Sequence, residues 1–228
     1  MRVLTWNLFH GRAVPPAGRD LQAEFAAALA GWDWDVALLQ EVPPWWAPAL
    51  ARACDADARR ALTSRNELPA LRRALAIRRP DLAKSAGGGA NVILVRTRGA
   101  RIVDHRSVRL RRWPERRVCH AVALDGGQWC ANLHAQGQSA ARAHADIGRA
   151  AVATLAWAGG APALLGGDFN VREPAAPGFE RLGGEGVDHV LGHLVRAAEA
   201  ARVLDGGRLS DHPPLVVRVL ARRDGRSG

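Results

Sequence analysis

The sequence Gly166-Gly167-Asp168-Phe169-Asn170 directly follows the apolar run Ala161–Leu165. A short apolar run that ends in glycines is typical of a buried β-strand. Side chains two residues apart on a strand point the same way, so we expect Asp168 and Asn170 to reach one point in space. A carboxylate beside a neutral amide suits a hard cation, a phosphate oxygen or an attacking water. Because Gly-Asp is also common turn chemistry, this junction alone does not specify a function.

Other apolar segments along the chain also end in polar groups that can carry chemistry. Catalytic groups of layered α/β proteins tend to lie at strand ends and on the adjoining loops. We therefore expect these strand ends to converge on one site. The segments and their polar residues are Met1–Trp6 with Asn7, Asp35–Gln40 with Glu41, Gln128–His134 with Asn132 and His134, Val187–Leu191 with Asp188, and Leu209–His212 with Asp211 and His212 before the run Leu215–Leu220.

Six short motifs along the chain resemble one known family. They are TWN (5–7), LLQEV (38–42), NLH (132–134), GGDFN (166–170), VDHV (187–190) and LSDHPPL (209–215). In this order they resemble the endonuclease/exonuclease/phosphatase superfamily, the DNase-I-like metal-dependent phosphohydrolases. The resemblance spans residues 3–220 and implies a four-layer sandwich, in which two packed mixed β-sheets are flanked by helices. The periodicity alone indicates an α/β fold with a mixed sheet.

The resemblance implies a metal site at the amino-terminal strands. Glu41, in the family's QE motif, would be the principal ligand of Mg²⁺ or Mn²⁺, with Asn7 and Asp211 in the same metal region. Phe9 stands where a second acid is frequent two residues after the Asn, which favours one tightly bound cation over two.

The resemblance also implies the groups that act on the phosphate. Asp168 and Asn170 would orient the attacking water and hold the scissile phosphate. Asp188 would pair with His212 across strands and fix its tautomer. His212 would then serve either as a general base or, as an imidazolium, as a phosphate clamp.

The NLH motif adds two candidates on one strand face. The resemblance implies that His134 is a general acid or a phosphate ligand, and that Asn132 supports the phosphate. A hydrogen-bonded structural histidine is the alternative for His134. Relatives also place substrate contacts near Arg65, Asn66 and Asn91.

The charge of the chain invites a nucleic-acid partner. The formal net charge is +10, and Arg96–Arg117 contains nine arginines, among which Arg109, Arg111 and Arg112 are tentative nucleic-acid contacts. However, Lys84 is the only lysine, so 31 of the 32 basic residues are arginine, a composition typical of a GC-rich genome. A solvated face without a partner is the alternative interpretation.

Length and segment composition predict one domain at residues 1–221 and a disordered tail at 222–228. No run of 18 apolar residues suggests a transmembrane helix. The first strand begins so early that no secretory leader precedes it, so we expect a cytoplasmic protein. With Gly126-Gly127 as a two-residue hairpin loop, Cys119 does not lie opposite Cys130, which predicts free thiols.

Propensity and capping signals predict the order of elements. Asp20 and Ser139 are expected N-caps of helices, and Pro80 ends a third. A loop or small insertion is expected at 175–186. The predicted helices are 21–30, 45–54, 69–79 and 139–157, and the predicted strands after residue 91 are 92–95, 102–110, 118–124, 128–134, 162–166, 187–191 and 214–220.

These observations favour a Mg²⁺-dependent hydrolase of phosphate esters, with a nucleic-acid phosphodiester as substrate of an endo- or exonuclease. A phosphatase or phosphodiesterase that acts on a small molecule or lipid is the alternative. A non-catalytic binding module on the same fold is disfavoured, because the acidic and histidine residues of the motifs are all present.

Overall fold

Two mixed β-sheets lie face to face at the centre of the molecule. The computed structural model describes residues 1–64, 66, 70, 73, 74, 78 and 88–222. In chain order the elements are β1 Arg2–Asn7, α1 Gln22–Gly31, β2 Val36–Val42, α2 Ala47–Ala53, β3 Ala56–Leu62, β4 Ala90–Arg96, β5 Ile102–Arg111, β6 Arg117–Leu124, β7 Trp129–His134, α3 Ala140–Ala158, β8 Ala163–Asp168, β9 Glu180–Glu185, β10 Asp188–His193, β11 Val195–Ala197, β12 Arg202–Val203 and β13 Leu215–Ala221.

The first sheet has the strand order β11-β13-β1-β2-β4-β3, and β12 also pairs with β13. β1 and β2 are parallel, whereas the other neighbours in this sheet are antiparallel. The second sheet has the order β5-β6-β7-β8-β10-β9. In it only β7 and β8 are parallel. Both sheets are therefore mixed, as the sequence predicts.

Three apolar clusters hold the layers together. The cluster between the sheets includes Val3 and Leu38 from the first sheet, and Leu164 and Val190 from the second. A second cluster packs α1 and α2 on the outer face of the first sheet. A third packs α3 on the outer face of the second sheet. The result is the predicted four-layer sandwich, with the polar strand ends gathered at one edge.

Strand register explains why the site residues meet. The parallel pair β1–β2 places Asn7 opposite Gln40, next to Glu41. The parallel pair β7–β8 places His134 opposite Asp168, and antiparallel β10 places Asp188 opposite Asp168 from the other side. Because the carboxyl ends of parallel neighbours meet at one sheet edge, the polar residues share that edge.

The described helices agree with prediction to within a few residues. Helix α3 begins after Ser139, whose Oγ accepts a hydrogen bond from the Arg142 backbone N–H, so the predicted cap is confirmed. Helix α1 begins one residue later than predicted, and Asp20 accepts a hydrogen bond from the Gln22 N–H. The predicted helix at 69–79 lies mostly outside the described residues.

Four strands were not predicted: the short β11 and β12, and the longer β3 and β9. The expected loop at 175–186 is wrong in its second half, because Glu180–Glu185 forms β9 and pairs with β10. β3 was missed because its sequence, ADARRAL, is rich in alanine and arginine and poor in strand-forming residues. Both are edge strands, where partial exposure weakens the apolar pattern.

The β6–β7 hairpin is one residue longer in its loop than predicted. Leu124 and Gln128 flank a three-residue loop, in which Gly127 has a φ of 83°. Val122 consequently lies opposite Cys130, and the three cysteines are buried free thiols, as expected.

The carboxyl-terminal prediction needs a small correction. Arg222, placed in the predicted tail, donates its backbone N–H to Leu194 O and its guanidinium to Glu180. Residues 223–228 lie outside the described residues. No helix in the described part of the chain is long and apolar enough to cross a membrane.

Candidate active site

A cavity of about 420 Å³ opens at the edge where β1, β2, β7 and β8 end. Seven of the residues predicted from the motifs line it. They are Asn7, Glu41, His134, Asp168, Asn170, Asp211 and His212. The sequence motifs therefore identify one continuous site, although they are spread over more than 200 residues of chain.

Asp168 lies at the centre of the cavity floor and is 2% exposed. Its Oδ2 accepts a hydrogen bond of 3.0 Å from Asn7 Nδ2, and its Oδ1 accepts one of 2.9 Å from the Asn170 N–H. His134 Nε2 lies 3.4 Å from the same Oδ2. Burial raises the pKa of Asp168, although the positive charge of His212 and the hydrogen bond from Asn7 oppose this effect.

Glu41 forms the wall beside Asp168. It has a left-handed φ of 50°, at an irregular point of the β2–β4 ladder, which turns its side chain toward the cavity. Its side chain is 21% exposed. Burial, together with the negative charge of Asp168, raises the pKa of Glu41 to about 7.

His212 and Asp188 form the opposite wall. His212 Nδ1 and Asp188 Oδ2 are 2.7 Å apart, so the structure brings together the predicted cross-strand pair. His212 Nε2 faces the centre, 3.9 Å from Asp168 Oδ2. The Trp6 indole N–H donates to His212 O, and Ser210 Oγ accepts from the His212 N–H, which fixes the backbone of this residue.

The charge state of this pair follows from its surroundings. Burial disfavours the imidazolium, but the hydrogen bond and charge of Asp188, with the charges of Asp168 and Asp211, outweigh it and raise the pKa of His212 to about 9. Burial raises the pKa of Asp188 to about 6, against the hydrogen bond from His212. At neutral pH the pair is therefore an imidazolium beside a carboxylate.

His134 has a different charge state. Burial, with the charges of Arg117, His10 and His212, lowers the pKa of His134, which stays neutral.

The donor set beside Glu41 fits a hard divalent cation. The half-buried carboxylate of Glu41 lies close enough to the buried carboxylate of Asp168 for the charge of Asp168 to raise its pKa, a repulsion that a cation between them relieves. Asn7 and Asp211 supply further oxygen atoms in the same cavity. Asp168, Asp188 and His212 also come within 4.8 Å of one another.

Asn170 closes the floor. Its Nδ2 donates a 2.9 Å hydrogen bond to Ala135 O, and its φ of 52° is left-handed. A Cβ on Gly137 would lie 2.9 Å from Asn170 Oδ1, so the glycine leaves room for this amide.

Asn132, predicted to support the phosphate, does not line the cavity. Asn132 is fully buried between the sheets. Its Oδ1 accepts from Gln40 Nε2, and its Nδ2 donates to Leu39 O and Val92 O. Asn132 shares a strand face with His134 but lies one step deeper, where no substrate reaches it.

The three arginines predicted to contact nucleic acid, Arg109, Arg111 and Arg112, do not line the cavity. The guanidinium of Arg111 lies 3.0 Å from the fully buried carboxylate of Asp146. That carboxylate also accepts from the Gln136 N–H, so Arg111 supports the loop behind the site. Arg109 and Arg112 are exposed outside the cavity.

Sequence reasoning missed several residues that line the cavity. His10 Nε2 lies 3.1 Å from Glu41 Oε2, in a turn with consecutive left-handed residues that no motif signals. Arg117 is 11% exposed and lies 2.7 Å from Glu115. The missed lining residues are Phe9, His10, Arg12, Thr63, Ser64, Gly89, Glu115, Arg116, Arg117, Gln136, Gly137 and Gln138. The arginine-rich stretch was the available signal for two of them, Arg116 and Arg117.

Of the three substrate contacts expected from relatives, the structure places one beside the cavity and one away from it. Asn66 Nδ2 donates to Thr63 O and Gly89 O, and so supports the cavity wall. Asn91 is fully buried and donates to Val118 O, away from the cavity. Arg65 lies outside the described residues.

A two-sheet sandwich with carboxylates and histidines at this edge defines a DNase-I-like fold. The model of the Endonuclease/Exonuclease/phosphatase family matches residues 4–212. The chain belongs to this family, whose members are phosphoesterase hydrolases. Among curated proteins, none matches the chain.

Solved structures share the fold at low sequence identity. An endonuclease/exonuclease/phosphatase from Beutenbergia cavernae is 20% identical, covers 97% of this chain and 71% of its own, and has a TM-score of 0.71. The mannosyl-6-phosphatase Bt3783 of Bacteroides thetaiotaomicron is 16% identical over 96% of this chain and 99% of its own, with a TM-score of 0.69. TDP2 of D. rerio, complexed with single-strand DNA product, is 14% identical over 97% and 99%, with a TM-score of 0.62.

Proposed function

We propose that the protein is a Mg²⁺- or Mn²⁺-dependent phosphodiesterase that cleaves nucleic acid. The observation that carries the hydrolytic part is the arrangement across the cavity. The half-buried carboxylate of Glu41 and the buried carboxylate of Asp168 face the imidazolium of His212, which Asp188 holds. A phosphate oxygen bound between a cation and an imidazolium has its developing charge stabilised from two sides.

Glu41 would hold the metal, with Asn7 and Asp211 as further oxygen donors. When bound, the cation supplies charge stabilisation at the phosphoryl oxygen. The pKa of about 7 at Glu41 means that metal binding displaces a proton near neutral pH. The carboxylate is therefore a ligand whose occupancy depends on pH.

Asp168 is the best-placed group to orient an attacking water. Asn7 and the Asn170 N–H fix its two oxygens, so the carboxylate cannot rotate. Burial raises the pKa of Asp168, which makes it a stronger base than an exposed aspartate. His212, protonated at neutral pH, then acts as a phosphate clamp rather than as the base. Neutral His134 and Asn170 lie on the floor for hydrogen bonds to the phosphate.

Nucleic acid is proposed as substrate because the cavity rim is basic. Arg12, Arg116 and Arg117 line the cavity, and the chain carries a net charge of +10. The structural likeness to TDP2 with single-strand DNA product is in line with this substrate class. The second candidate is a small phosphomonoester, favoured by the modest cavity volume and by the likeness to a mannosyl-6-phosphatase.

Hydrolysis of bis-p-nitrophenyl phosphate tests the reaction. We expect turnover with Mg²⁺ or Mn²⁺, loss with EDTA, and recovery when the metal is restored. Glu41→Gln should need more metal for half-maximal rate, whereas Glu185→Gln, an exposed acid on β9, should match the parent. Full activity after rigorous chelation contradicts metal dependence. No turnover of any phosphoester would favour a binding module on this fold.

A substrate panel then tests the substrate class. Supercoiled plasmid, a single-stranded oligonucleotide and an abasic duplex represent nucleic acid, and mannose 6-phosphate, an inositol phosphate and sphingomyelin represent the alternatives. We expect the highest kcat/KM for a nucleic acid. A higher value for any of the others replaces this substrate while leaving the metal-dependent chemistry in place.

A further inference from the structure

The turn between β5 and β6 carries an exposed tryptophan. Trp113 is 80% exposed, more than any other large apolar side chain in the described part of the chain. The other seven tryptophans of the chain are buried or half-buried. Trp113 presents a large apolar face to solvent at this turn, which a ligand can cover.

This turn is fixed at the cavity mouth. The Arg116 N–H donates a 2.5 Å hydrogen bond to Ser64 Oγ, and the Arg117 guanidinium lies 2.7 Å from Glu115. All four of these residues line the cavity. At the strand side, Arg111 is held by buried Asp146. The turn is therefore attached at both ends, and Trp113 projects from an anchored base.

The distance from Trp113 to the cavity wall suits a neighbouring nucleotide. Trp113 is three residues before Arg116, so their Cα atoms are at most about 11 Å apart. The axial rise of ~3.4 Å per nucleotide in a duplex is a lower bound for the spacing of phosphates on a single strand, so this distance reaches an adjacent nucleotide. A strand whose phosphate is in the cavity can thus place a nearby base at the indole.

The charge around Trp113 matches a phosphate backbone. Arg112 precedes it and Arg116 follows three residues later, and both side chains are exposed. An exposed indole flanked by guanidinium groups offers a stacking face for a base and cations for the phosphates on either side of it. Proteins that bind single strands combine these two features.

We infer that Trp113, Arg112 and Arg116 form a subsite that binds a nucleotide of a single strand adjacent to the phosphate in the cavity, with the base stacked on the indole. This inference rests on the proposed function and specifies its substrate as a strand with unpaired bases at the site. Two of the three arginines that line the cavity, Arg116 and Arg117, lie on this turn or directly after it, while Arg111 has a supporting role.

Binding of two strands of equal charge tests the subsite. The probes are fluorescein-labelled hexathymidylate and a hexamer of abasic spacers, compared by fluorescence anisotropy in EDTA so that neither is cut. We expect the thymidylate strand to bind about 5- to 100-fold more tightly. Trp113→Ala should remove this preference, and Trp113→Phe should keep part of it. The control is Val103→Ala, which changes an exposed apolar residue on β5 and should retain the preference.

The arginines provide a separate readout. Arg112→Gln should weaken both strands equally, because it changes phosphate contacts and leaves the stacking face in place. Arg196→Gln, at an exposed position on β11, is the matched control and should match the parent. Equal or undetectable binding of the two strands by the parent protein overturns the subsite.

A kinetic comparison separates this inference from the proposed function. Thymidine 5′-(p-nitrophenyl phosphate) and methyl p-nitrophenyl phosphate share a leaving group and differ in the nucleoside. We expect Trp113→Ala to lower kcat/KM about 5- to 100-fold for the first and to leave the second unchanged. Turnover of both esters without a nucleoside preference overturns the subsite and leaves the hydrolase intact. If neither ester is cleaved, the hydrolase fails, and the strand-binding result still decides the subsite.

Discussion

The candidate active-site pocket and a buried polar layer beneath it are built from the same strands but differ in charge. We define the buried polar layer as Thr5, Gln40, Asn91, His120 and Asn132, which are all fully buried between the sheets. Each strand of the layer continues toward the pocket, as from Thr5 to Asn7 on β1 and from Asn132 to His134 on β7. The layer is neutral, since burial, with the nearby charge of His105, lowers the pKa of His120 to about 3. The pocket holds carboxylates and an imidazolium.

This difference separates chemistry from support. In the layer, amides bond to one another and to the backbone, as where Gln40 Nε2 donates to Asn132 Oδ1 and to Leu38 O. Among the described residues, Gln40 Oε1 and Asn91 Oδ1 are left without a hydrogen-bond partner. In the pocket, pairs such as Glu41 and Asp168 leave charge that is only partly compensated. A substitution in the pocket should therefore affect turnover with little cost in stability, and one in the layer should do the reverse.

The largest effect is expected from Asp168→Asn. Loss of one positioned charge or base typically lowers kcat by about 10²–10⁴-fold. The amide has nearly the same shape, so the thermal unfolding midpoint should stay within about 3 °C of the parent. Turnover of bis-p-nitrophenyl phosphate and a thermal melt measure the two quantities. A melt lowered in proportion to activity would place Asp168 with the supporting layer.

The next effect concerns the Asp188–His212 pair and pH. His212→Ala and Asp188→Asn should each lower kcat by about 10²-fold or more, and the double variant should lose far less than the product of the two. Because the pKa of His212 is about 9, the imidazolium persists at neutral pH, and activity should fall as pH rises through about 9. In Asp188→Asn this alkaline limb should move toward the ordinary histidine value of 6.5.

The stabilisation of the fold by the Asp188–His212 pair should decrease as pH rises. The pKa of His212 is raised on folding, so its contribution is complete below about 6.5 and is lost as pH rises through about 9. Urea unfolding at pH 6.5 and pH 9.5 measures this loss, and Asp188→Asn should reduce it. An alkaline limb that Asp188→Asn leaves in place would contradict the pairing.

The sequence predicts the pocket better than its surroundings, for a physical reason. Motif residues lie at strand ends, and parallel register brings Asn7, Glu41, His134 and Asp168 to one edge. The two-residue strand period that identifies them continues into the layer, so Asn132 could not be distinguished from His134 without knowing the depth of the pocket floor. His10 and Arg117 were missed because their positions depend on turn geometry and on neighbouring strands, which spacing does not encode.

The sequence also predicts some strands of the fold better than others. Buried central strands have continuous apolar runs and were predicted, whereas edge strands β3 and β9 have alanine, arginine and glycine and were missed. β5 is also an edge strand but was predicted, whereas β3 and β9 lack a clear strand pattern, so pairing with a neighbour determines them.

Asn132→Ala should show the reverse of Asp168→Asn. It leaves Gln40 Nε2 and the carbonyls of Leu39 and Val92 without their partner inside the sandwich. Buried unsatisfied groups should cost about 2–3 kcal/mol, which lowers the melting midpoint by about 5–10 °C. At a temperature where the variant is folded, kcat/KM should stay within about threefold of the parent. A drop of 10²-fold in the folded variant would return Asn132 to the site.

The smallest effect tests whether exposed arginines outside the cavity touch nucleic acid at all. Arg109 and Arg112 are exposed, unlike Arg111 with its buried partner Asp146. If both exposed residues contact phosphates of duplex DNA, the double change to Gln should reduce the slope of log K against log salt by about 1.8, at about 0.9 per phosphate. Turnover of bis-p-nitrophenyl phosphate should not change, because neither residue lines the cavity. Affinity and salt slope identical to the parent would mean that these arginines form a solvated face and that the basic residues relevant to substrate are confined to the cavity rim.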